Sequence, residues 1–275
     1  MSAGLETRPA ATVETSAKQE QERRRALDSG RVLLPVAGVA LLVAAWELLP
    51  RSGLVDSTFL PPFSVVLQTW WELATDGTLW PNVEVSLARS LGGFAVAVAV
   101  GIPLGLLIAS YRWLARLLDP VVELFRNTAA LALLPVFILI LGIGETSKVS
   151  IIIYSCLWPV LLNTISGVRD VDPLFIRSAR SLAMGRVTQF RKVILPAAVP
   201  AIFTGIRLAG ATSILVLIAA EMVGATAGLG YFVNNAQFNF QIPQMYAGIL
   251  TISVIGLLFN VALVALERHF SRWKR

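Results

Sequence analysis

The sequence has 275 residues, of which 56% are hydrophobic and only 15% are charged, so its apolar surface is more than a soluble domain could cover. We therefore predict a membrane protein that is all-α and crosses the bilayer several times. The formal net charge of +6 would suggest nucleic acid for a soluble chain, but the cations lie in short segments beside apolar runs, as membrane topology requires, which argues against that partner.

The residue inventory also argues against an enzyme. The single cysteine, Cys156, lies in an apolar run and the single histidine, His269, lies in a basic terminal segment, so one chain offers neither a disulfide framework nor a multi-residue metal site. No Gly-x-x-x-x-Gly-Lys-Ser/Thr loop occurs, and one terminal histidine supports no Ser/His/Asp arrangement. We therefore expect no cofactor or metal in this chain, and any ATP to be used elsewhere.

The N-terminal part is predicted to be a tail followed by a first membrane span. Residues 1–31 are polar and basic without apolar periodicity, which predicts a disordered tail and argues against a signal peptide. Val32–Leu49 is the first run long enough to span, and residues 32–275 form the membrane domain. In the connection Arg51–Ser90, Pro61-Pro62 and several tryptophans predict a partly helical segment at the membrane surface.

Three further spans precede the central loop. Leu91–Ser110 is uncharged and contains Gly101 and Gly105, a spacing that permits close helix contact. Asn127–Gly142 can span if its helix extends back by a few residues, and Val149–Val168 forms the fourth span.

The loop from Asp172 to Pro196 is the one long cationic segment between two strongly apolar ones. Asp172 can cap a helix whose first turn accepts Pro173, and Phe175, Ala179 and Leu182 then share one face. A break and a second apolar stripe follow, carried by Gly185, Val187, Phe190 and Ile194, before Leu195-Pro196 is expected to end the unit.

The last two spans complete a six-helix topology. Ala197–Ala220 is the fifth and Met245–Leu266 the sixth, and Glu221–Gln244 between them contains no Lys or Arg. Because cations concentrate on the cytoplasmic side, we expect both termini and the loop 172–196 to face the cytoplasm.

The central loop resembles the "EAA loop" of binding-protein-dependent ABC importer permeases: Glu-Ala-Ala, three residues, Gly, nine residues, Ile-x-Leu-Pro. The spacing holds throughout. The positions that match are Ala179, Leu195 and Pro196, with Val193 for the Ile; those that depart are Arg177 for Glu, Ser178 for Ala and Ala183 for Gly. In that family the loop forms a coupling helix that enters a cleft of a separate ATPase subunit; a lipid-binding amphipathic helix is the alternative.

The coupling interface that this resemblance implies comprises Phe175, Arg177, Ser178, Ala179, Leu182, Ala183, Gly185, Phe190, Val193, Leu195 and Pro196. Further segments resemble the nitrate, taurine and aliphatic-sulfonate branch of type I permeases: 125–127 with 131–135, 141–148, 195–200 with 204–207, and 220–222 with 228–231. This branch implies a homodimer in the bacterial inner membrane, two ATPase subunits that bind ATP and Mg²⁺, and an external solute-binding protein.

Four polar residues within or beside the spans are candidates for the translocation path or its gate: Arg126, Asn163, Arg207 and Glu221. Arg126 and Arg207 are placed at cytoplasmic helix ends, where snorkelling is the simpler interpretation. Glu221 could brace an outer gate or cap a helix against Asn234 or Asn235, and Asn163 could hydrogen-bond a neighbouring helix.

We interpret the chain as the transmembrane subunit of an ATP-driven importer of a small oxyanion, with aliphatic sulfonate or taurine as first choice and nitrate as second. The alternative is an ion-coupled secondary transporter or a channel. That alternative would need ionisable residues at mid-depth in the membrane, and the sequence offers few.

Overall fold

The structure, a computed structural model, describes residues 36–270. All regular structure in this part of the chain is helical, as predicted. It forms two compact units, whose described parts are residues 36–65 and 66–270. The predicted tail, the start of the first span and the last five residues lie outside the described residues.

In the first unit, helix α1 covers residues 36–51 and the following loop folds back on it. Trp46 Nε1 donates a hydrogen bond to the carbonyl oxygen of Pro61 at 3.1 Å, and its ring lies 5.4 Å from that of Phe63. The described part of α1 is shorter than a helix that crosses a bilayer, so the first span stays a prediction.

The other helices are, in chain order, α2 (Phe63–Thr75), α3 (Leu79–Ser110), α4 (Arg112–Arg126), α5 (Leu134–Leu141), α6 (Glu145–Arg169), α7 (Pro173–Ser181), α8 (Arg186–Gln189), α9 (Leu195–Met222), α10 (Leu229–Phe238) and α11 (Ile242–Phe270). A 3₁₀ turn at Ala130–Leu133 precedes α5, and a π-helical turn at Phe190–Ile194 joins α8 to α9.

Glycines bring α3 and α6 into close contact. A Cβ atom added to Gly101 would lie 2.9 Å from Cγ1 of Val160, and one added to Gly105 would lie 2.7 Å from Cβ of Thr164. The predicted close helix contact at Gly101 and Gly105 is thus confirmed. Because residue numbers rise together along both helices, α3 and α6 run parallel.

Helix α9 packs antiparallel to α6, and α11 antiparallel to α9. A Cβ on Gly205 of α9 would lie 2.8 Å from Cβ of Asn163, while one on Gly210 would meet the side chain of Leu263 of α11. In the most apolar part of each helix, 44% of the residues of α6 are buried, compared with 6% of those of α11. Helix α6 is therefore the centre of the bundle, and α11 lies at its edge.

The chain between the parallel helices α3 and α6 crosses the bundle as a broken pair. Helix α4 runs antiparallel to α6. Asp119 lies 3.8 Å from Arg169 near the end of α6, and the ring of Phe125 stacks on that of Trp158 near the middle of α6, with centroids 6.1 Å apart. The chain then bends by 87° into the 3₁₀ turn and α5. The predicted single span Asn127–Gly142 is therefore wrong, because its apolar residues include a break and only a short helix.

Among the described residues, four helices are long and apolar enough to cross a membrane, and a fifth crossing is obtained if the bent pair counts as one. Two predicted boundaries are wrong. Helix α3 begins at Leu79, twelve residues before the predicted start of the span at Leu91. Leu195-Pro196 does not end the helical segment of the central loop, because the helical path is continuous from Arg186 to Met222. Pro196 lies in the first turn of α9, where its missing N–H costs nothing.

Candidate functional site

The segment between α6 and α9, residues 170–194, is called the coupling segment below. Its start is as predicted: the Asp172 carboxylate accepts a hydrogen bond from the backbone amide of Leu174 at 2.8 Å, and Pro173 is the first residue of α7. Its turn is closed by the amide of Met184, which donates to the carbonyl of Ala179 at 3.1 Å. Ala183 within this turn has φ of 53°, the left-handed region that favours glycine.

Large apolar side chains of the coupling segment are exposed. Phe175 is 57% exposed and Leu182 is 71% exposed, and Leu174 and Val187 are similarly open. Ala179 is only 3% exposed, so the predicted stripe is divided: its central residue packs inside this chain and its outer two face away. An exposed apolar surface edged by arginines is typical of a surface that another protein covers.

A cleft of about 470 Å³ opens beside the bend between α4 and α5 and is called the central cleft. It lies at the middle of α6, and α9 forms its opposite wall. Its lining consists of Arg126, Asn127, Thr128, Ala130, Tyr154, Ser155, Trp158, Pro159, Leu162, Leu208 and Thr212. Irregular backbone at the depth of a membrane is tolerated where it lines a cavity or is buried in protein, and the broken crossing meets that condition.

The carbonyl groups left open at the end of α4 are satisfied by side chains around the cleft. The Tyr154 hydroxyl donates to the carbonyl of Phe125 at 2.9 Å, and the Thr128 hydroxyl donates to that of Leu124 at 3.0 Å. Arg126 pairs with Glu123 at 2.8 Å, and its side chain is 42% exposed. It is the cationic residue among those that line the cleft.

Of the four predicted path residues, Arg126 alone lines the central cleft. Asn163 donates to Pro159 of its own helix at 2.8 Å, so the expected bond to a neighbouring helix is wrong. Arg207 is not at a helix end as predicted, because α9 begins well before it, and it lies 3.4 Å from Glu267 of α11.

Glu221 lies at the other end of the bundle, in a group called the buried ion cluster: Arg89, Glu145, Lys148 and Glu221. The cluster sits where α6 begins and α9 ends, whereas the coupling segment joins the end of α6 to the start of α9. The two sites are therefore at opposite ends of the bundle.

Arg89 is the centre of the cluster and is 5% exposed. Its Nε and one terminal nitrogen donate to the Glu145 carboxylate as a two-pronged fork. Its other terminal nitrogen donates to Glu221 at 2.8 Å and to the carbonyl of Ala227 at 2.8 Å. Lys148 is 4% exposed and donates to the carbonyl of Gly144 at 3.1 Å.

The Glu221 carboxylate has further partners that fix α10 against α3 and α9. It accepts from the hydroxyl of Ser86 at 2.9 Å and from the backbone amide of Gly230 at 2.8 Å. Glu221 thus caps the first turn of α10, as one alternative predicted, but not through the predicted asparagines, since Asn234 donates to the carbonyl of Met222.

Sequence reasoning missed the other three residues of the buried ion cluster because it placed Arg89 in the connection Arg51–Ser90 and placed Glu145 and Lys148 between two predicted spans. One signal was present: the small residues Ser86, Ser90 and Gly93 extend the stripe of Gly101 and Gly105 towards the N-terminus at helical spacing, and all three are buried. That stripe predicts one continuous helix and puts Arg89 beside a packed face.

A helical bundle with a broken crossing beside a cleft and an exposed apolar loop at one end defines a membrane-embedded transport subunit. The chain belongs to the family described as "Binding-protein-dependent transport system inner membrane component", which matches residues 101–275. It is an ABC importer permease, and the ATPase of such an importer is a separate subunit that holds ATP and Mg²⁺.

Several relatives align with most of the chain. The taurine transport system permease protein of Escherichia coli (strain K12) is 35% identical over 250 residues, which cover 89% of this chain and 91% of the relative. A putative aliphatic sulfonates transport permease protein of Bacillus subtilis (strain 168) is 34% identical over 88% of this chain and 87% of its own. The nitrate import permease protein of Synechocystis sp. is 32% identical over 87% and 89%.

The fold is similar to that of solved importers. A structure of the MetNI methionine ABC transporter in an inward-facing conformation aligns with a TM-score of 0.62 at 19% identity, covering 70% of this chain and 95% of that chain. An amino acid ABC transporter aligns with a TM-score of 0.56 at 20% identity, covering 74% and 97%.

Proposed function

We propose that this permease forms the path for a small oxyanion, with aliphatic sulfonates such as taurine as the first choice and nitrate as the second. The observation that carries this proposal is Arg126, the cation on the wall of the central cleft at the bend of the broken crossing. Arg126 is paired with Glu123, but Glu123 is not among the lining residues, so the cleft itself presents a cation beside mainly apolar and hydroxyl groups, which favours an anionic solute. The names of the relatives, which include taurine, sulfonate and nitrate permeases, support the same class.

The exposed apolar residues of the coupling segment are proposed to dock on the ATPase. Two copies of this chain, two ATPase subunits and an external solute-binding protein make the working assembly. ATP closes the ATPase pair, the two coupling segments approach each other, and the central cleft opens outward to receive solute. In this arrangement both termini and the coupling segment lie in the cytoplasm, in agreement with the distribution of cations.

The rival interpretation, an ion-coupled secondary transporter, is less well supported. Coupling-ion sites of such transporters lie near the middle of the membrane. Here the buried ion cluster lies at one end of the bundle, with Arg89 paired to both of its carboxylates. Near the middle, at the central cleft, Arg126 is paired with Glu123 of its own helix.

Transport in proteoliposomes tests the proposal. Vesicles with the permease, its ATPase and its binding protein should take up labelled taurine only with ATP, and nitrate is tested as a competitor. Arg126→Gln should lower uptake of each accepted anion by a similar factor, because a charge on the wall discriminates sign rather than shape. Arg116→Gln, an exposed residue of the same helix outside the cleft lining, is the matched control and should leave uptake unchanged. Uptake driven by an ion gradient without ATP would contradict the proposal.

A further inference from the structure

Arg89 is held by two carboxylates whose burial differs greatly. The side chain of Glu221 is fully buried, whereas that of Glu145 is 65% exposed. Glu221 also accepts bonds from Ser86 and Gly230, so it fixes one side of the guanidinium. The opposite side, formed by Nε and one terminal nitrogen, therefore faces outward and is covered by Glu145.

The charges of the cluster require an anion at that outward edge. With Glu145 counted, two cations and two anions balance. Without it, Arg89, Lys148 and Glu221 leave one positive charge among groups that are almost entirely buried. A buried charge without a counterion is strongly unfavourable, so whatever replaces Glu145 must carry negative charge.

The Glu145 carboxylate has room to leave, because its side chain is 65% exposed and the turn before it is open. Gly142 has φ of +82°, and neither Gly142 nor Gly144 has a neighbouring atom within 4 Å of the position where a Cβ would stand. Glu145 is the first residue of α6, directly after this turn. A rotation of the side chain or a small shift of the turn would uncover the edge of Arg89 without disturbing Glu221.

We propose that the outward edge of Arg89 is a binding site for a monovalent oxyanion, which Glu145 occupies as a tethered substitute. A planar guanidinium edge binds two oxygens of one anion at once, and nitrate and sulfonate groups offer the same pair of oxygens as a carboxylate. Its identification with the transported solute rests on the proposed function; the binding itself does not. The site lies at the end of the bundle opposite the coupling segment, apart from the central cleft.

Glu145 and a free anion compete for the same edge of Arg89, and Glu145 is attached to the same chain. A tethered group acts at a high effective concentration, so the wild type should bind nitrate weakly. Glu145→Gln removes the competitor and leaves the positive edge. We expect the nitrate concentration that gives half of the maximal stabilisation to be roughly tenfold lower in Glu145→Gln than in the wild type.

The test is thermal unfolding of the full-length chain, purified in detergent with its bound ATPase subunits and without ATP. Sodium nitrate or sodium methanesulfonate replaces sodium chloride at constant ionic strength. An anion that binds the folded state raises the unfolding temperature in a saturable manner. Glu145→Gln should show this rise with both oxyanions, and the wild type should show it only at much higher concentration.

Two further variants make the result decisive. Asp119→Asn removes an exposed carboxylate near Arg169 but keeps Glu145, so it should respond to the oxyanions only as the wild type does, at much higher concentration. Arg89→Lys in the Glu145→Gln background keeps the charge but loses the fork, so the preference for oxyanions over chloride should disappear. The proposal would be overturned if replacing chloride by an oxyanion gave no rise in Glu145→Gln, or if Asp119→Asn showed the same rise at the same low concentration. Because ATP and transport are absent from this assay, a failure of uptake would leave its outcome unchanged.

Discussion

Gly92 and Gly93 are adjacent in α3, and the same substitution at each should have opposite effects. A Cβ on Gly93 would lie 2.7 Å from Cγ2 and 2.9 Å from Cβ of Ile152, whereas one on Gly92 would meet nothing within 4 Å. Carbon atoms pack favourably at about 3.5–4.0 Å, so Gly93→Ala requires α3 to move from α6 by roughly 1 Å. Ile152 cannot easily rotate away, because it is fully buried and β-branched in a helix.

Overpacking of this kind costs about 1–3 kcal/mol, so Gly93→Ala should lower stability by that amount. Gly92→Ala should be neutral or stabilising by up to about 1 kcal/mol, because alanine favours the helix. Both are measured by denaturation with sodium dodecyl sulfate of the purified chain in mixed micelles. Ile152→Ala, which removes Cγ2, should cost less in the Gly93→Ala background than alone. Equal effects at the two glycines would refute the close contact of α3 with α6.

The remaining predictions concern the two ends of the bundle. Glu221→Gln should cost about 3–5 kcal/mol because it breaks a fully buried ion pair that no dissolved anion can replace. Glu145→Gln leaves the same net charge on Arg89 and Lys148, but it uncovers an edge that solvent and dissolved anions reach, so it should cost less; the same denaturation assay compares them, and equal costs would contradict the assigned burial. Ala183→Gly should slow hydrogen exchange of the turn after α7, since it removes left-handed strain of about 1–2 kcal/mol; faster exchange would count against it. Phe175→Asp should abolish co-purification of the ATPase while membrane insertion persists, and undiminished co-purification would rule out docking through this face.

Much of the fold could be predicted because long apolar runs leave few choices in a membrane. The spans at α6, α9 and α11 were placed within a few residues of their helices for this reason. The predicted cap at Asp172 was also correct, because it depends only on local chemistry. The broken crossing was not foreseen, since hydropathy averages over a run and does not register a bend of 87°.

The sites were less predictable than the spans because their charges are compensated by distant residues. Arg89 looks like a residue that ends a span until Glu145 and Glu221 are brought beside it from two other helices. The sequence placed Arg126 next to an apolar run, and only the bend shows that it lines a cleft. Local patterns predict helices and caps well, but a group whose partners are far apart in sequence needs the folded chain.

The broken crossing also constrains how the protein is synthesised. A segment enters the bilayer from the translocon by itself when it is long and apolar, but α4 carries cations and acids and α5 has only 8 residues. Neither half can partition into lipid alone. We therefore expect this part of the nascent chain to wait at the protein-conducting channel until α6 has emerged, so that the broken crossing enters the membrane together with α6 and not before it.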